Sequence, residues 1–153
     1  MKIILTIFFV LTTAILVAQN TAQNTTFNAQ LADSLKADDY GMRMYSLVIL
    51  KTGKRDEKNP KVLDSLFKGH MANITKMAKS GELFVAGPIE KNSNQYRGIF
   101  ILKARTEAET RAFLQADPAI AAGIFEIEIY DWYGSAALPL YLPYHDQIQK
   151  TKF

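Results

Sequence analysis

Two histidines and a few carboxylates carry the chemistry open to this chain, because it contains no cysteine. That excludes a thiol nucleophile, a Cys-ligated zinc site, an iron–sulfur cluster and a disulfide framework. His145 sits beside Asp146 in a polar stretch and reads as a solvated side chain. His70 differs, because Leu63, Leu66, Phe67, His70, Ile74, Met77 and Ala78 recur at three- and four-residue steps. This spacing marks one face of a helix, so the imidazole shares an apolar stripe and needs a hydrogen-bond partner there. One reading is a core-edge histidine satisfied by a backbone carbonyl or water. The other is a general acid–base paired with a carboxylate. Asp117 is the carboxylate to test. Its competing role is a helix cap, since Asp117-Pro118 has the form of an N-cap followed by proline.

The other polar candidates read more simply. Gly87-Pro88 is a turn, although glycine lets backbone N–H groups approach a ligand closely. Arg43, Arg97, Glu126 and Glu128 alternate along strands as solvated or cross-strand charges. Tyr130, Trp132 and Tyr133 cluster without a basic stripe, which suits core or interface aromatics better than a base-stacking platform. The 153 residues carry 18 Lys plus Arg against 15 Asp plus Glu, a formal charge of +3, so nucleic acid is not an expected partner. The H-E-x-x-H, P-loop, G-x-G-x-x-G, G-x-S-x-G and EF-hand patterns are all missing from the sequence. No metal and no cofactor are expected. A weaker reading is a heme- or metal-linked protein, in which one buried histidine ligates heme.

The elements that must position His70 and Asp117 follow from pattern. Hydrophobic residues at 48% and charged ones at 22% fit a single globular domain. Residues 1–18 read as a secretory signal peptide, with Lys2, an apolar stretch Ile3–Val17 and then Ala18. Cleavage there would place the working protein in the periplasm or outside the cell, with no stable membrane span; the rival reading is an uncleaved N-terminal anchor. Residues 19–41 form a flexible polar lead with one short helix near Ala29–Ala37. Met42–Lys51 is strand one. Asn59-Pro60 opens a long helix that Gly81 stops. Leu83–Ala86 is a short second strand ended by Gly87-Pro88, and Tyr96–Lys103 is the third. Thr106 and Glu109 form a capping box for a second helix through Ala112, Phe113 and Ala116. Asp117-Pro118 opens a further helical turn closed by Gly123, and Ile124–Tyr133 is a two-faced strand. The order is β-α-β-β-α-β, an α+β arrangement with helices on one face of a sheet and the other face open. In the tail, residues 135–153, Pro139 and Pro143 predict extended chain rather than helix across Leu138–Tyr144.

MYSLVILK, GHMANI with His70, FVAGP at Phe84–Pro88, RGIFIL at Arg97–Leu102 and DPAIAAGIFEIEIYDW at Asp117–Trp132 occur in that order. Together they resemble the YCII-related domain family over about Met42–Trp132. The resemblance implies a ferredoxin-like protomer with a four-stranded antiparallel sheet, in residues 42–134. It also implies a homodimer of the dimeric α/β-barrel type, packed through the open sheet face. It further implies a histidine–aspartate site, at His70 and Asp117. Related members act as dehydrochlorinases or isomerase-like enzymes on small ring compounds, so lyase or isomerase chemistry on an unidentified small molecule is expected. The alternative is a non-catalytic ligand-binding or assembly module. The export signal, the lead and the long tail depart from the family pattern. A tail lying in the cleft beside His70 would favour the non-catalytic alternative.

Overall fold

Strand β1 (Met42–Thr52) has seven apolar or aromatic residues among its eleven, including the run Leu47–Leu50, and it lies inside the sheet. Both its edges are paired, with β3 (Tyr96–Lys103) on one side and β4 (Phe125–Ser135) on the other, all antiparallel. Strand β2 (Leu83–Pro88) closes the far edge of β3, giving the order β2-β3-β1-β4. These are the four antiparallel strands and the connectivity that the sequence predicts. A computed structural model describes residues 26–151. The expected signal peptide and the start of the polar lead lie outside the described residues. Among those described, no helix is long and apolar enough to cross a membrane.

The helices begin where their caps predict. Helix α1 (Ala29–Ser34) starts in the lead at Asn28. Helix α2 (Pro60–Lys79) starts after Asn59, whose side chain accepts from the Lys61 amide. Helix α3 (Glu107–Leu114) has the complete Thr106–Glu109 capping box, and α4 (Pro118–Ala121) is a single turn capped by Asp117. Helix α2 ends at Ser80, where Gly81 takes a left-handed φ of 71° that a β-carbon would disfavour.

Alternation along the strands splits the sheet into two faces. On one, Val48, Leu50, Phe100 and Leu102 pack with Met77 of α2, Leu114 of α3 and Ile120 of α4. Each such side chain, fully buried, contributes roughly 1.5–3 kcal/mol. The opposite face carries Tyr45, Phe84 and Ile101 together with Leu47, Val85 and Trp132. None of the helices α2, α3 and α4 covers it, and Leu47 and Trp132 remain partly exposed.

The loop leaving β1 is pinned to the turn entering β4. The Gly53 amide donates to the Ile124 carbonyl at 2.8 Å, and the Arg55 amide to the Gly123 carbonyl at 3.1 Å. A β-carbon on Gly53 would lie 2.1 Å from the Gly123 oxygen, so only glycine allows this approach. The contact fixes both the end of α4 and the start of β4, the two segments that flank His70.

The tail corrects the sequence reading. Its first residue completes β4, and then Leu138–Tyr141 forms a 3-10 turn and Leu142–Ile148 forms helix α5. Pro139 and Pro143 fall within the first turns of these elements, where the missing amide proton has no helical partner to lose. Leu138 packs against the Tyr45 cluster, and the Tyr141 hydroxyl donates to the Phe84 carbonyl at 2.6 Å. The tail is therefore anchored on the open face and not beside His70. Strand β2 also runs two residues further than predicted, through Gly87-Pro88; as an edge strand it tolerates proline.

Candidate active site

His70 leaves the sheet-facing side of α2 near the middle of the helix, with only 7% of its surface exposed. Asp117 reaches it from the N-terminus of α4, itself fully buried. Helix α4 lies against α2 closely enough that a β-carbon on Gly69 would meet Pro118 Cγ at 2.8 Å. The result is a His70 Nδ1–Asp117 Oδ2 hydrogen bond of 2.8 Å. The two residues that the sequence marks for testing are thus in contact.

Asp117 is also the helix cap that its alternative reading describes. Its Oδ1 accepts from the amides of Ala119 and Ile120 at 3.0 and 3.2 Å. The two roles coexist because each uses a different carboxylate oxygen. Burial by itself raises the pKa of this carboxyl. The hydrogen bond and charge of His70 outweigh it, helped by Asn73 and the Ile120 amide, and hold the group below the ordinary carboxylate value of 3.8. An ionised Asp117 accepts and does not donate, so the imidazole carries its proton on Nδ1.

That leaves Nε2 as the chemically available nitrogen. It has no hydrogen-bond partner among the described residues, and no buried side-chain nitrogen or oxygen among them lacks one. The small exposed part of the ring therefore includes Nε2. Three phenylalanines form its surroundings. Phe100 stacks on the imidazole at 5.9 Å, Phe125 tilts against it at 5.3 Å, and Phe67 meets Phe125 edge-on at 5.8 Å. Phe67 is 41% exposed and stands at the rim rather than on the buried stripe where its spacing placed it. It also lines a groove of about 420 Å³ along the outer side of α2 with Asp64, Lys68 and Met71; His70 is not part of that lining.

Asn73, Phe100 and Phe125 are the site residues that the sequence analysis missed. Asn73 carried a signal, since it falls three positions after His70 on the same helix. The two phenylalanines come from other strands and carried none. The remaining charges are cross-strand or loop pairs: Lys51 with Glu128 at 2.8 Å, Lys54 with Glu126 at 3.6 Å, and Arg97 donating to Thr52 at 2.6 Å. Arg43 donates to the Leu35 carbonyl and lies over the Tyr45 ring. His145 is exposed on α5, and Tyr130 and Tyr133 are about half exposed.

A four-stranded antiparallel sheet with helices on one face and a buried His–Asp pair beneath them makes this a ferredoxin-like α+β protein. The family model for the YCII-related domain matches residues 44–133, and the chain belongs to that family. Among solved structures it is similar to 5-chloro-2-hydroxyhydroquinone dehydrochlorinase from Burkholderia phenoliruptrix AC1100, in complex with 2,5-dihydroxybenzoquinone. The identity is 18% and the TM-score 0.43, over 57% of this chain and 92% of that one. No curated protein matches this chain.

Proposed function

We propose that this protein is a small-molecule enzyme of the lyase or isomerase type, with His70 Nε2 as its acid–base atom. The observation that carries the reading is the hydrogen bond from Nδ1 to a buried, ionised carboxylate, which leaves the second nitrogen as a lone pair at the surface. Nε2 takes a proton from an acidic carbon of the substrate. The electron pair left behind either expels a leaving group on the neighbouring carbon or delocalises and is reprotonated elsewhere by the same imidazolium. Asp117 orients the ring and stabilises the imidazolium while the proton is held. The phenylalanine walls favour a compact, flat, largely apolar ring over a long or highly charged molecule.

The first test is proton exchange. Ring ketones, beginning with cyclohexanone, are incubated with the full protein in D2O, and loss of the signal next to the carbonyl is followed by NMR. Exchange faster than in protein-free buffer supports the enzyme. Compounds that shift the His70 resonances without exchanging point to the binding module instead, with Asp117 serving only as cap and ring anchor.

The protein acts as a homodimer outside the cytoplasm. Leu47, Ile49, Val85 and Ile99 are only partly buried on the open face, and a second copy packed there covers them. Lys2, the apolar Ile3–Val17 and Ala18 support export with cleavage. Protein recovered from outside the cytoplasm should lack residues 1–18 by intact mass and sediment at twice the chain mass. Retention of the leader or a monomeric particle would remove that part of the proposal.

A further inference from the structure

We infer that Asn73 is a positioning residue for the His70–Asp117 pair, holding in place the carboxylate oxygen that His70 uses. The inference rests on the catalytic reading of that pair. Asn73 lies three residues beyond His70 on α2, so both side chains leave the same side of the helix. Its Nδ2 donates to Asp117 Oδ2 at 3.2 Å, the same oxygen that His70 Nδ1 meets at 2.8 Å. Oδ1 is already engaged by two backbone amides.

A carboxylate offers about four acceptor sites, and all four are occupied here. Turning the group about its Cβ–Cγ bond breaks bonds at both oxygens together. Protonating it sets an O–H against an existing N–H donor. The amide of Asn73 is itself oriented, because Nδ2 also approaches the sulfur of Met77 at 3.8 Å. Met77 is almost fully buried, so that side of the amide is held by the core. Flipping the amide would place Asn73 Oδ1 against Asp117 Oδ2, acceptor to acceptor.

Without Asn73, Oδ2 keeps one free acceptor site on the side away from His70. The carboxylate then has room to tilt and a place to bind a proton. His70 is the only titratable side chain bonded to Asp117 among the described residues; the other groups facing it are Asn73 and the amides of Ala119 and Ile120. Asn73 is one of the groups that hold Asp117 below the ordinary carboxylate range.

The test uses the full chain and needs no known substrate. Carbon-13 NMR follows the Asp117 carboxyl through pH in the wild type, Asn73→Leu and Asn73→Asp. Leucine is close to asparagine in shape and fits beside Met77, so the variant removes the donor with little change in packing. Its Asp117 midpoint should rise by about 0.5–1 pH unit. Asn73→Asp places a second carboxyl beside Oδ2 and should move the midpoint further, with the two groups sharing a proton. Should Asn73→Leu fail to fold, Asn73→Ser gives the same reading, being too short to reach Oδ2. In the exchange assay Asn73→Leu should lose about 3- to 10-fold in kcat with KM unchanged. An Asp117 midpoint identical to wild type in the variant lacking the donor overturns the inference. Exchange that does not depend on His70 overturns the catalytic reading, while the titration still decides the role of Asn73.

Discussion

Replacing His70 by asparagine should cut the exchange rate by about 100-fold or more while leaving the protein folded. Asparagine can place its Nδ2 near the position of the imidazole Nδ1, so the bond to Asp117 at 2.8 Å has a substitute donor. What disappears is Nε2, together with the ring surface against Phe100 and Phe125. Losing that packing should cost about 1–2 kcal/mol, visible as a modest drop in Tm. The informative result is therefore a split between a large kinetic loss and a small thermal one. Equal activity in the variant would sink the assignment of His70, because no other atom of the side chain is placed for proton transfer.

The second large effect belongs to Asp117, and it falls mainly on stability. Asp117→Ala removes the acceptor for four donors at once: His70, Asn73 and two backbone amides. With the site fully buried, water cannot replace the carboxylate cheaply, and a loss of about 3–5 kcal/mol is expected in chemical denaturation. Asp117→Asn should cost less, about 1–2 kcal/mol, because one amide oxygen can keep the cap. It should nevertheless abolish exchange. The new NH2 group faces Nδ1, so the imidazole moves its own proton to Nε2 and the basic lone pair leaves the surface. The pH dependence has a definite sign. Asp117 in the folded chain lies below its ordinary 3.8, so the carboxylate contributes its stability above that value. The contribution is lost as pH falls through the lower, folded value. Wild-type Tm should therefore decline on acidification in that region, and Asp117→Asn should decline less.

Much of the architecture was legible because local signals agreed with the fold. Asn59-Pro60, the Thr106–Glu109 box and Asp117-Pro118 each fix a helix start within a few residues, and the apolar and aromatic content of β1 marks it as a strand. The tail was not legible in the same way. Proline signals both the end of a helix and its first turn, and only the contacts of Leu138 and Tyr141 decide between them. For the site, helical period singled out His70 and capping chemistry singled out Asp117. Their meeting depended on the packing of α4 against α2, which no short-range pattern records. Phe100 and Phe125 were illegible for the same reason, whereas Asn73 lies one turn from His70 on the same helix.

The pairing of β1 has a bearing on how the chain comes into being. The first of the four strands in chain order is the one that ends up inside the sheet, with Leu47 opposite Ile101 on one side and Tyr130 on the other. Both neighbours lie far along the chain from it, at Tyr96–Lys103 and Phe125–Ser135. Helix α2 and the β2–β3 hairpin can form as they emerge, but the sheet cannot close before residue 135 is out. A chain halted earlier exposes the long apolar edge of β1, a ready template for aggregation. Pairing of β4 with β1 completes the sheet, and with it the turn carrying Asp117 comes to rest on the helix carrying His70.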